Sequence, residues 1–450
     1  MKKNLFCLLI SFYPFIANAQ VNFSTFTTLD AVFEQAKKEK KLIFIQFETE
    51  KCVQCHDVAM AGLSSTNLKE KYAVNFLSLK TKLGDNLYIN LLDKYQLTDE
   101  FIGSLYLDSQ GTILLKQNAI TSDSMIYIQW ADKAITNVDK LSALAKLNKK
   151  YQKGDRSAAF LEKYILAMRD IDKDGDAIMD EYIGQFIVDS LNSDKIIQFV
   201  KEQGLSLNAR AFKLIANANS NKKLDSIWFL MPLSKRISIN NRTISQTFNE
   251  AVRTKDNMLI YQLGSFTYNI NSPDYRNPDY RKGEFAAQSQ LVNYWRAIKD
   301  TTFFLSRAQN FANILLKVTM DSLKVWNSRE KEALFSMRET EIKYTPVSNQ
   351  YANELNELAW QCYKLTDNPK YLEKALIWSE RSMAIMKEIP AGEIIQNAAY
   401  LDTYAHILYR LKRYDEAIEW QNKAIEAQKL GKVKSEGYEK ERDKMINRKL

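Results

Sequence analysis

Residues 42–58, LIFIQFETEKCVQCHDV, carry the reading on which the fold turns. The first six, LIFIQF, form a short and nearly continuous apolar run rich in β-formers. That is the pattern of a strand buried on both faces. A polar stretch, TEK, follows, then Cys52 and Cys55 with two residues between them, then His56 at once. Residues 53–63 fit the opening of a helix. The cysteines therefore fall where a strand hands over to a helix. A spacing of three puts both sulfurs on one helical face, so a disulfide closes between them with little strain. A thiolate at a helix start is favoured by the positive end of the helix dipole, by free amide groups and, here, by Lys51 next to Cys52.

The same string fits other chemistry. A C-x-x-C is a redox dithiol pattern, and a C-x-x-C-H is also the covalent tether of a c-type haem. A haem domain needs helices around the tether and a distal ligand. Met60 is only four residues past His56, on the same helical face, and His406 lies far along the chain. A metal site on Cys52, Cys55 and His56 is one ligand short of a closed zinc site. The dithiol is the main reading, with haem and metal as alternatives, and it calls for no cofactor.

Working outward, residues 28–40 place Leu29, Val32, Phe33 and Ala36 at helical spacing, with a basic outer face. NFLSL, residues 75–79, reads as a second strand and DNLYINLLDK, 86–95, as a helix. Ser104–Leu107 and Thr112–Leu115 read as a strand pair turned at Asp108-Ser109-Gln110-Gly111. A helix from about Ser122 closes the region. The order α-β-α-β-α-β-β-α predicts a mixed α/β domain with a central sheet. Over residues 24–147 the chain resembles the thioredoxin family, through LIFIQF leading into KCVQC and through FIGSLYLDSQGTILL, similar to that family's closing hairpin. The resemblance implies that Cys52 is the attacking sulfur and Cys55 the resolving one. Three positions depart from it. Ile102 stands where that family has a proline in cis, Gln46 where it has a buried proton-handling acid, and Lys51 where it has an aromatic residue. A cis bond before a residue other than proline costs about 2.5–4 kcal/mol, so the peptide at Ile102 is expected to be trans.

Past Leu141 strand-like runs are scarce and a 3.6-residue period takes over. KLNKKYQKG, residues 146–154, is expected to be a boundary. The expected division is a signal peptide at 1–19, a thioredoxin-like domain at 20–147, a helical region at 148–345, and tetratricopeptide-like repeats with a basic C-terminal helix at 346–450. Within the helical region, DIDKDGDAIMDE, residues 170–181, satisfies the EF-hand loop pattern at Asp170, Asp172, Asp174, Gly175 and Glu181, with Asp176 offering its carbonyl. Against calcium, Ala177 stands where an aliphatic β-branched residue is usual, and no partner loop exists. The alternative is a polar turn between two helices. NSPDYRNPDYRKGEF, residues 271–285, reads as a loop, either a plain connection or a partner anchor through its tyrosines and arginines.

Residues 400–428 resemble a tetratricopeptide repeat, with Ala405, Ala417 and Ala424 at the small positions and Tyr404, Leu408, Tyr414 and Trp420 at the bulky ones. Residues 356–385 match through Ala359, Ala375 and Ser382. Two copies are too few for a stable array, so the preceding helices are expected to belong to the same all-α solenoid. Cys362 reads as a buried small residue, and His406 as a packed or surface histidine.

The 450 residues carry 26% charged and 46% hydrophobic side chains, ordinary globular values. The net charge of +9 is spread through interleaved acids and bases, and no nucleic-acid motif accompanies it. Residues 1–19 combine Lys2 and Lys3, an apolar run and Ala17-Asn18-Ala19, a secretory signal pattern that takes Cys7 with it. No later stretch is long enough to span a bilayer. The expected protein is periplasmic or secreted. Two functions follow: a thiol–disulfide oxidoreductase whose helices select protein partners or protein thiols and disulfides, or a non-catalytic interaction scaffold carrying a degenerate thioredoxin-like module.

Overall fold

A computed structural model describes residues 20–48, 53–82, 84–95, 97, 101–171, 173, 175–186, 193–217, 228–271, 281–336, 346–388, 398–431 and 435–450. The chain divides into two compact units, residues 1–146 and 147–450. The first holds a small mixed sheet, the second is helical. The signal pattern at 1–19 lies outside the described residues.

The first unit runs α1 (Leu29–Glu39), β1 (Leu42–Glu48), α2 (Val53–Gly62), α3 (Thr66–Asn75), β2 (Phe76–Lys82), α4 (Asn86–Tyr95), β3 (Ser104–Leu107), β4 (Ile113–Gln117) and α5 (Ser124–Gln152). The strand order is β2-β1-β3-β4. β1 is parallel to β2, with Leu42 opposite Phe76, and antiparallel to β3, with Gln46 opposite Ser104. β3 and β4 form an antiparallel hairpin.

LIFIQF is central because both of its faces are covered. Ile43, Ile45 and Phe47 enter one apolar cluster with Val32, Phe33 and Ala36 of α1 and with Leu87, Tyr88 and Leu91 of α4. Phe44 enters a second cluster, with Leu68 and Tyr72 of α3, Phe76, Tyr106 and Tyr127 of α5. Successive strand side chains point to opposite faces, so one continuous apolar run supplies two cores. The second core contains a buried hydroxyl pair, Tyr72 and Tyr106 at 2.7 Å, with Tyr72 Oη also donating to the Tyr127 carbonyl at 3.0 Å. The hairpin turn falls at 108–111, where Asp108 Oδ1 accepts from the amides of Gln110 (2.9 Å) and Thr112 (2.7 Å) and Gly111 takes a φ of 83°.

One element is not expected from the sequence. Helix α3 lies between α2 and β2. It is short, and only Leu68 and Tyr72 are buried, so its apolar period is thin. The two units divide between Lys146 and Leu147, within the lysine-rich stretch expected as a boundary; that stretch is itself helical as far as Gln152, and the chain leaves the helix at Gly154, with φ 95°. Lysine is a good helix former, and the punctuating glycine alone marks the stop.

The second unit is built from helices Ala158–Arg169 through Glu436–Ile446. One apolar cluster runs from Leu207 to Met445 and includes Leu263, Phe311, Leu355, Ala359, Ala375, Trp378, Ala405 and Ala417. Val347–Leu365 packs against Pro369–Glu388, and Ala398–Arg410 against Tyr414–Leu430. Ala359, Ala375, Ser382, Ala405, Ala417 and Ala424 are fully buried, as close approach of paired helices requires. The loop expected at 271–285 is already helical from Arg281, and 272–280 lies outside the described residues. Among the described residues no helix is long and apolar enough to cross a membrane.

Candidate functional site

β1 ends at Glu48 and α2 begins at Val53, so the expected strand and the expected helix both form, and Cys55 is already inside α2. Lys51 and Cys52 lie outside the described residues. Cys55 is in the first turn of α2, and its side chain is outside what the structure describes. The described residues nearest in the chain belong to β1 and the rest of α2, and β1 pairs with β2 and β3.

Gln46, on β1, is fully buried. Its Nε2 donates to the carbonyls of Gly103 (3.1 Å) and Phe47 (3.2 Å), and its Oε1 accepts from Ser104 Oγ (2.9 Å). The amide thus ties β1 to the chain entering β3. A carboxylate has no N–H to donate, so the two carbonyl contacts select an amide over an acid. The Gly103 carbonyl also accepts from the Phe47 amide at 2.9 Å. A Cβ at Gly103 would stand 2.0 Å from the Gln117 carbonyl oxygen, so only glycine lets β4 come this close. Ile102 precedes it, and every peptide bond among the described residues is trans.

Around the end of β1, four polar side chains and a thioether come together. Glu48 Oε1 lies 3.1 Å from His56 Nδ1 and 3.2 Å from Lys80 Nζ. Met60 Sδ accepts from Gln20 Nε2 at 2.9 Å and from Lys80 Nζ at 3.0 Å, and Lys80 also sits 4.6 Å above the Phe23 ring. The His56 side chain keeps 45% of its exposure. His56, in the sequence the neighbour of Cys55, is oriented here by a carboxylate. Glu48 and Lys80 escape sequence reasoning because the register of β1 against β2 brings them together. Met60 is on the helix of His56, with its sulfur engaged by Gln20 and Lys80.

The acidic loop at 170–181 is only partly described, since Asp172 and Asp174 lie outside. Asp170 Oδ1 is 3.4 Å from Arg169 Nη2, and Asp176 opens helix Asp176–Ile183. Glu181 pairs with Arg156 Nε at 2.8 Å and accepts from the Tyr151 hydroxyl. Arg242, from helix Leu233–Thr254, donates to the carbonyls of Arg169 (3.1 Å) and Lys173 (3.2 Å). A guanidinium thus binds backbone oxygens at both ends of the loop's first half. Among the described residues no group of three or more His, Cys, Asp and Glu side chains is placed to hold a metal ion.

Cys362 is fully buried in helix Val347–Leu365, with Sγ 3.5 Å from the Tyr371 carbonyl. Burial pushes its thiol up to about 12, so it stays protonated and unreactive at neutral pH. No protein-family model matches the chain, and no curated protein matches it.

Proposed function

We propose that the chain is an exported thiol–disulfide oxidoreductase-like protein whose Cys52 and Cys55 form the reactive dithiol, with the helical unit selecting protein partners. The observation that carries this reading is positional. In the sequence the pair falls where a central, doubly buried strand gives way to a helix, with Cys55 inside that helix, in a unit whose mixed sheet ends in an antiparallel hairpin. Those are the elements on which the resemblance to the thioredoxin family rests. Cys52 thiolate attacks a protein disulfide and forms a mixed disulfide, releasing one substrate thiolate. Cys55 thiolate then displaces the second substrate thiolate, leaving Cys52–Cys55 oxidised and the substrate reduced by two electrons. The buried small residues of the helical pairs at 347–388 and 398–430 support the tetratricopeptide-like reading, and with it a partner-binding role.

The second reading is a non-catalytic scaffold, and a specific observation favours it. Gln46, in place of a buried acid, is fully engaged in holding β1 to β3 and offers no proton. Replacing Cys55 by Ser separates the two. With the resolving thiol gone, an oxidoreductase accumulates mixed disulfides on Cys52, visible as reducible adducts on gels of cell-envelope extracts. Absence of any adduct supports the scaffold.

A further inference from the structure

Helix Ala398–Arg410 carries a buried histidine that the dithiol chemistry does not use. His406 is 4% exposed. Its Nδ1 lies 2.8 Å from the backbone carbonyl oxygen of Asp402 and 3.5 Å from Asp402 Oδ2. Its Nε2 faces Glu441 Oε2 at 3.6 Å, across the packing of helix Glu436–Ile446. The Trp360 and Tyr363 rings, both from Val347–Leu365, pack in T-shaped geometry on the imidazole at centroid distances of 5.4 Å.

The partners dictate the protonation state. A backbone carbonyl only accepts, so Nδ1 must carry hydrogen to bond Asp402 O. Glu441 Oε2, at 3.6 Å, stands just beyond hydrogen-bond distance of Nε2, and its negative charge favours a hydrogen there as well. Both nitrogens protonated is the imidazolium, charged, between two carboxylates. A neutral ring that keeps the Nδ1 hydrogen turns a lone pair on the Glu441 carboxylate. The pKa directions agree for His406 and Glu441, while burial pushes the Asp402 carboxyl up despite His406 and Gln421. Burial opposes charge on His406, but Asp402 and Glu441 outweigh it and the ring is held above its ordinary value. Burial likewise opposes charge on Glu441, and His406 and Lys444 outweigh it, holding that carboxyl low.

We propose that the C-terminal helix Glu436–Ile446 is latched onto the last helical pair by a proton on His406, docking below neutral pH and loosening as pH rises. The charged and titratable groups facing His406 are few. Asp402 and Arg410 come from its own helix, Tyr363 from Val347–Leu365, and Glu441 and Lys444 from the C-terminal helix. Arg410 is engaged by Asp367 and lies 4.6 Å from the Tyr363 ring, and Lys444 bonds Glu441 at 2.7 Å. His406 is the group among them whose ordinary value lies nearest neutrality, and the buried Asp402 carboxyl, pushed up by burial, shares its surroundings. The sign follows from its raised value in the folded chain. The latch is complete below the ordinary histidine value and is lost as pH climbs through the raised one. Tyr438 and Met445, both buried, supply the apolar part of the docking, so the proton tunes a contact that hydrophobic burial establishes. Gln421 adds a tie at any pH, through Asp402 Oδ1 (2.8 Å) and the Tyr438 carbonyl (3.2 Å).

The test is amide hydrogen exchange on the full chain at about pH 6 and about pH 8.5, corrected for intrinsic rates, with helix Pro369–Glu388 as internal reference. Protection at 436–446 should fall measurably at the higher pH relative to the reference, because His406 is raised in the folded chain and loses its proton across this range. In Glu441→Gln, whose amide N–H can donate to a neutral Nε2, protection should hold across the range. Proton NMR of His406 in a His56→Asn background should give a midpoint above the ordinary histidine value, and this reading needs no variant at the latch. Equal wild-type protection at both pH values overturns the latch. So does a Glu441→Gln chain that folds and keeps the wild-type pH dependence, or a His406 midpoint at or below the ordinary value.

Discussion

Gln46 shows how one side chain separates architecture from chemistry. It is buried and makes three hydrogen bonds, two of which need an N–H donor. In Gln46→Glu both carbonyls lose their donor and an acid is buried without a cation. The expected cost is about 1–3 kcal/mol for the groups left unsatisfied, read as a lower denaturant midpoint with unchanged slope. Unchanged stability would mean that the Gln46 network does not hold β1 to β3. Cys362 makes the complementary prediction. Buried and held protonated, it should resist iodoacetamide in the native chain at neutral pH and react fully once unfolded. Native labelling of Cys362 would contradict its placement. Sequence reading placed Cys362 in the interior on residue type alone. It left His406 undecided between packed and exposed because the ring's partner, Glu441, is 35 positions along the chain.

At the scale of elements, long periodic segments were legible and thin ones were not. LIFIQF, the helix at 86–95 and the turn at 108–111 each carry their own signal, of burial, period or turn chemistry. Helix α3 offers only Leu68 and Tyr72 to the core, four residues apart, and sequence reading passed over it. The structure makes those two side chains decisive, so Leu68→Ala should cost about 2–5 kcal/mol, the range for a buried leucine. A loss under about 0.5 kcal/mol, typical of surface positions, would show that α3 does not seal the second core. The loop at 170–181 tests another element. Arg242 binds its Arg169 and Lys173 carbonyls, and Glu181 is engaged by Arg156 and Tyr151. Arg242→Met should therefore lower the thermal midpoint, while millimolar calcium leaves the wild-type midpoint where it is. A calcium-dependent rise would return the loop to the metal-binding reading, since a ligand that binds only the folded chain stabilises it.

For the whole molecule, the coarse division into a mixed-sheet unit and a helical unit was readable from the switch between periods near residue 141. The setting of the cysteine pair was readable in part. Strand, turn and helix are local in sequence. The Glu48–His56–Lys80 group is set by the register of two parallel strands, which no local pattern encodes. The central claim, a reactive dithiol, is tested most directly by intact-mass spectrometry of the full chain after mild oxidation, followed by alkylation under denaturing conditions. The account predicts loss of two hydrogens, a Cys52–Cys55 cross-linked peptide on digestion, a single alkylation at Cys362 in the chain cleaved after residue 19, and full reversal by a dithiol reductant. Cys52 and Cys55 both free and alkylated after oxidation would contradict it.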